Sequence, residues 1–141
     1  MTTPAVPGKI RTVREAVLVA DDDKTVVALV AEFLRKNGFH VVPAFDSMQA
    51  MVGVRQTKPK VVILDIGMPG GSGVDVLKKL KTMNTTVQIP VIILTGSTDP
   101  KKKDESLALG ADEYLTKPVD LRALLSAVNR ALGRPDEPAA G

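Results

Sequence analysis

The sequence of 141 residues contains no cysteine and a single histidine, His40. Without thiols there is no disulfide framework and no thiolate metal site, a pattern compatible with a reducing compartment. One imidazole cannot build a histidine-based metal cluster, and no second histidine exists to act as a base. Aromatic residues make up only 3% of the chain, which leaves little surface for stacking on nucleic-acid bases. No run approaches the roughly 18 consecutive apolar residues of a membrane helix, and the N-terminus lacks a signal-peptide pattern. The net charge is a modest +3. These scarcities argue against nucleic-acid contact within this chain and against a membrane span, and they make a cytoplasmic location the expectation.

What remains is 44% hydrophobic and 25% charged, the composition of one ordinary domain with a real core. Residues 1–15 mix Pro, Gly, Thr and charge without a period and read as a flexible tail, as do residues 134–141. A single domain is expected over 16–133. Inside it, short apolar runs alternate with segments of helical spacing. Strands are predicted at 16–20, 39–44, 60–64, 90–94 and 112–116. His40 falls at the start of the second, an ordinary edge position.

The helical segments carry their own stop and start signals. Residues 23–38 place Val26, Val27, Val30, Phe33 and Leu34 on one face and stop at Gly38. Residues 46–58 are capped by Asp46 or Ser47 and weakened by Gly53. A third helix follows at 72–83. The fourth, 99–110, has Asp99 as N-cap, Pro100 at the first helical position and Gly110 as its stop. The fifth, 120–133, sets Leu121, Leu124, Leu125, Val128 and Leu132 on one face. Strands so apolar on both faces belong in a parallel sheet covered by helices on two sides. Five such units imply an α/β fold with an open, doubly wound, five-stranded parallel sheet.

In a parallel sheet every strand ends on the same edge, and ligands bind there. Asp21 and Asp22 follow the first strand, Asp65 the third, Thr95 the fourth and Lys117 the fifth. Three carboxylates on one edge repel one another unless a cation sits among them, and oxygen donors without His or Cys favour Mg²⁺. A hydroxyl and an ammonium on the same edge suit a phosphoryl group. Singly, each signal has a plainer reading: "DDD" also fits a solvated helix start, and Lys-Pro after a strand also fits a turn. The stretch "VVILDIGMPGGSGVDVL", 61–77, is the most informative, because it runs a buried strand straight into one acid and then into five glycine or proline positions.

The motifs "LVADDD", "ILDIGMPGGSG", "VIILTG" and "GADEYLTKP" occur in an order and spacing that resemble the receiver domain of two-component response regulators, of the stand-alone chemotaxis type. The resemblance covers about residues 15 to 133. It implies a flavodoxin-like fold with strand order 2-1-3-4-5. It also implies that Asp65 is the phosphoacceptor, with Asp22, Asp65 and the Gly67 backbone carbonyl on Mg²⁺ and Asp21 on a metal-bound water. Lys117 and Thr95 would contact the phosphoryl oxygens, Gly67 and Gly96 would let backbone approach them, and Lys117–Pro118 would be cis. Thr95 and Tyr114 would form the switch. The implied partners are a histidine kinase or phosphotransfer protein, and a downstream protein target on the 99–132 face. The implied assembly is a monomer or a phosphorylation-dependent dimer, and the protein would be a signalling phosphoacceptor rather than a metabolic enzyme.

Gly67 and Ser97 stand two residues beyond Asp65 and Thr95, where the family varies; two small residues leave the site relatively uncovered. Lys101, Lys102 and Lys103 lie in a first helical turn and oppose the macrodipole, at about 0.3–1 kcal/mol each when exposed. With an apolar face expected from Leu107, Ala108 and Leu109 only, that helix is either simply solvated and loosely held, or a basic docking patch for an acidic partner. Two other readings stay open. One is a receiver cut from a longer regulator with a DNA-binding or enzymatic output domain. The other is a flavodoxin-like nucleotide- or flavin-binding protein, which should show a phosphate-cradling glycine loop after the first strand, where "ADDDKT" has none.

Overall fold

The computed structural model describes residues 14–68 and 73–134. The expectations for both tails at 1–13 and 135–141, and for the open tip of the glycine-rich loop at 69–72, lie outside the described residues. Strands and helices alternate as β1 (Ala16–Ala20), α1 (Lys24–Lys36), β2 (His40–Ala44), α2 (Ser47–Thr57) and β3 (Val61–Leu64), then α3 (Gly73–Thr82), β4 (Val91–Thr95), α4 (Pro100–Ala108), β5 (Glu113–Thr116) and α5 (Leu121–Ala131). All strand pairs are parallel, in the order β2-β1-β3-β4-β5. Thr95, expected just past its strand, is the last strand residue.

The capping chemistry explains where the helices begin. Aspartates 23, 46, 99 and 120 each take an extended backbone and accept hydrogen bonds from amides of the first turn. Of the two candidates for α2, Asp46 is the cap, accepting from the Gln49 amide at 2.8 Å. Gly53, a weak point by helix propensity, has a packing reason: a Cβ there would lie 2.6 Å from Leu18 Cδ1. Glycine lets α2 press against β1. His40 is exposed at the start of edge strand β2.

Successive residues of a strand face opposite sides of the sheet, and the core divides accordingly. Val17 and Val19 of β1 join Val61, Ile63, Ile92 and Leu94 against α1 and α5, with Leu34, Leu124 and Val128 fully buried. Leu18 and Ala20 join Val62, Leu64, Val91 and Ile93 against α2 and α3, with Leu77 and Leu80 fully buried. On α1 the inward residues are Val27, Val30, Ala31 and Leu34, with Val26 and Phe33 at the margin. Glu15 and Arg134, read from sequence as tail residues, form an ion pair across the domain's ends, and the Glu15 carbonyl accepts from the His40 amide at 3.0 Å.

Helix α4 departs from its expected face. Leu107 is 41% exposed and Ala108 is exposed, while Leu109 packs on the core margin and the buried helical residue is Ser106. The reason is register: Asp99 and Pro100 set the helix start, which turns Ser106 inward and Leu107 out. Its hydroxyl is the one buried side-chain polar atom without a hydrogen-bond partner among the described residues. A buried unsatisfied hydroxyl costs about 1–3 kcal/mol, so α4 is held weakly. Ser106→Ala removes the hydroxyl without adding volume and improves helix propensity. It is expected to raise the stability by about 1 kcal/mol, measured as an increase in the urea midpoint at unchanged m-value.

Candidate functional site

The C-terminal edge of the sheet gathers the sequence-selected residues into one place. The Asp65 amide donates to the Ala20 carbonyl at 2.9 Å, so the register of β3 on β1 sets the acid beside Asp21 and Asp22. Carboxylate oxygens of Asp21, Asp22 and Asp65 all lie within 4.8 Å of one another. Asp21 and Asp65 are buried, at 2% and 7% exposure, whereas Asp22 is exposed. The set is therefore closed below and open on the Asp22 side.

Lys117 closes the group electrically. Its ammonium lies 2.7 Å from Asp21 Oδ2 and 3.1 Å from Asp65 Oδ2, bridging two buried acids. The other oxygens are held by backbone: Asp21 Oδ1 accepts from the Asp23 amide at 2.9 Å, and Asp65 Oδ1 from the Gly67 amide at 2.9 Å. Gly73 makes this packing possible, because a Cβ there would lie 2.3 Å from the Asp65 carbonyl oxygen. In the sequence Gly73 stands out only as one of the glycines that follow Asp65, and that cluster at 67–73 is the signal for it. The Lys117–Pro118 bond is cis, and the Lys117 amide donates to the Thr95 carbonyl at 2.8 Å.

Thr95 is buried at 2% exposure, and its hydroxyl accepts weakly from the Ser97 amide at 3.4 Å. The Tyr114 hydroxyl donates to the Ser97 carbonyl at 3.4 Å. Tyr114 is half-buried against the core margin, and burial first, with Asp99 and Asp65 nearby, pushes its phenol above the usual 10.0. It stays protonated and a donor. Beyond its small size, Ser97 links Thr95 and Tyr114 through its backbone amide and carbonyl. Gly96 is exposed and a Cβ there would meet nothing within 4 Å.

A model of the response regulator receiver domain matches residues 17–129. The chain belongs to the response regulator receiver family. Among its relatives, the DNA-binding response regulator MtrA of Mycobacterium tuberculosis (strain H37Rv) is 36% identical over 129 residues, covering 91% of this chain and 55% of that protein. The phosphate regulon transcriptional regulatory protein PhoB of Pseudomonas aeruginosa is 35% identical over 122 residues, covering 86% of this chain and 53% of that protein. The chain thus spans about half the length of these relatives. Among solved structures, the receiver domain of Francisella response regulator 1452 is similar at a TM-score of 0.79 and 34% identity, covering 85% of this chain and 98% of that one. The chemotaxis response regulator CheY4 of Vibrio cholerae is similar at 0.78 and 29%, covering 84% and 99%. The receiver fold with strand order 2-1-3-4-5 is thus both seen and shared. No helix among the described residues is long and apolar enough to cross a membrane.

The donor set fits a hard divalent cation. Three carboxylates supply oxygen at short mutual distance with no nitrogen or sulfur donor in the cluster, which suits Mg²⁺ better than a soft metal. Asp21, Asp22 and Asp65 could hold such an ion.

Electrostatics at the buried end are uneven. Burial pushes the Asp21 carboxyl above its ordinary 3.8, against the pull of the Lys117 hydrogen bond and the Asp23 amide, while Asp65 adds to the rise. For Lys117, burial alone favours the neutral amine, but bonds to Asp21 and Asp65 outweigh it and the pKa lies above 10.5. A raised carboxyl pKa means that the folded state binds the proton more tightly than the unfolded chain. Asp21's contribution to stability is therefore full below 3.8 and is lost as pH rises through its folded value. Asp21→Asn abolishes this titration. Relative to the parent, the variant is expected to gain stability as pH rises from about 4 to about 7. Urea unfolding of both proteins across that range checks it; a pH-independent difference would show that Asp21 carries no such penalty.

Proposed function

We propose that this receiver accepts a phosphoryl group on Asp65, in a Mg²⁺-dependent reaction with a histidine kinase or phosphotransfer protein, and signals by a change of surface over residues 99–132. The observation that carries the reading is the convergence of Asp21, Asp22 and Asp65 within 4.8 Å, with Lys117 reaching Asp65, in a chain of the receiver family. The chain catalyses only its own phosphorylation and dephosphorylation on this reading.

Phosphoryl transfer asks mainly for in-line positioning and for neutralisation of charge. A carboxylate oxygen of Asp65 attacks phosphorus, and the bond from phosphorus to the donor breaks with its electron pair leaving on the donor. The rigid end of β3 and the Gly67 amide hold the nucleophile in one orientation. Lys117, already 3.1 Å from Asp65, is placed to follow the negative charge onto the phosphoryl oxygens. Magnesium, held by Asp22, Asp65 and the Gly67 carbonyl with Asp21 on a metal-bound water, would supply further charge neutralisation. Gly67 adds no side chain beside Asp65, where a Cβ would lie 3.5 Å from its Oδ1.

Incubation with acetyl phosphate and Mg²⁺ is expected to add the mass of one phosphoryl group, released by hydroxylamine as an acyl phosphate is. Asp65→Asn keeps the shape and loses the nucleophile, so it should take up none. Labelling of that variant at the parent's rate sinks the assignment. Asp22→Ala should accept phosphate only at much higher Mg²⁺, which separates the ligand from the nucleophile.

For the output, Thr95 and Tyr114 meet through Ser97. A Thr95 hydroxyl drawn to a phosphoryl oxygen lets go of the Ser97 amide, and Ser97 also anchors the Tyr114 hydroxyl. A hydrogen bond to a charged group contributes about 1.5–3 kcal/mol, which can shift a two-state equilibrium by roughly 10- to 150-fold. Thr95→Val should still take phosphate on Asp65, yet lose the change in amide exchange across α4, β5 and α5 when beryllofluoride is added. A full response in the variant would show that the switch does not run through this hydroxyl.

A second reading rests on these longer relatives, of which the match covers 55% and 53%, one named as DNA-binding and one as a transcriptional regulator. On it the receiver is the regulatory part of such a protein. The intact mass of the native gene product decides.

A further inference from the structure

The opposite edge of the sheet, where the parallel strands begin, carries a second constellation of charge. A cavity of about 670 Å³ opens there between the end of α2 and the loop entering β4. Its floor is apolar, from Val54, Pro59 and Ile89, and its cations are Arg55, Lys58 and Lys60, with no acid in the lining. A second cavity of about 480 Å³ adjoins it across Lys58 and Lys60, which line both. This one adds Arg14 and His40, and its single acid, Glu15, is already paired with Arg134.

The cations are uncompensated. None of Arg55, Lys58 and Lys60 forms an ion pair among the described residues. Lys58 is also the one non-glycine residue among them with positive φ, at 48°. Glycine would take this left-handed cap of α2 without strain, yet the chain places a lysine there, at the seam of the two cavities. A strained residue kept at a cavity mouth points from geometry towards function. The larger volume lies in the range of small-molecule sites, which pair apolar walls with a few placed polar groups.

We propose that this paired cavity binds a small organic phosphate. The phosphate lies between Lys58 and Lys60, and the apolar body fills the larger cavity over Val54, Pro59 and Ile89. Arg55, whose planar guanidinium stacks on flat rings, favours a planar body, and Gln88 and Thr85 offer polar contacts at its edge. The site is separate from the acidic edge. Strand β3, Val61–Leu64, lies between them: Lys60 precedes it and Asp65 follows it.

Adenosine 5′-monophosphate serves as the probe, titrated without Mg²⁺ and followed by amide chemical shifts. The expected result is a saturable shift confined to Val54, Arg55, Lys58, Lys60, Thr85, Gln88 and Ile89, with dissociation constant near or below about 1 mM and weakening with added salt. Inorganic phosphate and neutral adenosine should each bind at least about tenfold more weakly. The double variant Lys58→Gly with Lys60→Ala should lose about tenfold or more in affinity. Glycine relieves the strained φ, so this variant keeps its fold, verified by unchanged phosphorylation from acetyl phosphate. Absent shifts at these amides would overturn the proposal. So would undiminished binding by the double variant, or equal binding of adenosine or of phosphate alone.

Discussion

A single ammonium between two buried carboxylates organises the acidic edge. Asp21 and Asp65 directly follow adjacent strands, their side chains out of solvent, and Lys117 bonds to both. Removing one partner of such a group leaves an uncompensated buried charge, which costs several kcal/mol. The lysine comes from beyond β5, which is separated from β3 by β4. Strands lie about 4.8 Å apart, so a long, unbranched side chain is what can cross the end of β4 to reach the acids. The strand that it crosses ends in Thr95, whose carbonyl holds the Lys117 amide. The positions of Asp65, Lys117 and Thr95 are thus one structural problem with one solution.

That rigid edge contrasts with the element beside it. Helices α1, α2, α3 and α5 each bury at least two apolar residues against the sheet, while α4 buries a serine whose hydroxyl has no partner among the described residues. Its first turn carries three exposed lysines that oppose the helix dipole. Elements with few buried apolar contacts open at low free-energy cost. A weakly held helix beside Thr95, Ser97 and Tyr114 is consistent with the proposed change of surface over residues 99–132. Charge is also polarised along the sheet, with acids gathered where the strands end and, where they begin, cations that form no ion pair among the described residues.

The alternation of five strands and five helices was legible in the sequence because each element carries a local signal. Asp23, Asp46, Asp99 and Asp120 stand at helix starts, Gly38, Gly110 and Gly133 have the positive φ of helix stops, and the strands are apolar on both faces. Asp21, Asp22, Asp65, Thr95 and Lys117 could be selected because parallel strands must all end on one edge. The strand order came from the family resemblance, since pairing of strands depends on contacts between segments far apart in the chain. The inward face of α4 was misread for a related reason: three neighbouring residues, Leu107, Ala108 and Leu109, cannot share one side of a helix, and the start at Pro100 selected Ser106 and Leu109.

Only the tertiary structure decided what spacing cannot encode. The closeness of the three carboxylates, the double engagement of Lys117 and the junction of Thr95 with Tyr114 at Ser97 arise from strand register and from side chains more than 15 residues apart. The need for glycine at 53 and 73 is likewise set by packing, since the Leu18 side chain and the Asp65 backbone occupy the space of a Cβ there. By itself the sequence determined which residues reach each end of the sheet, because periodicity, caps and turns are local. Which of them touch, and with what charge balance, is a property of distance in space, and that exists only once the chain has folded.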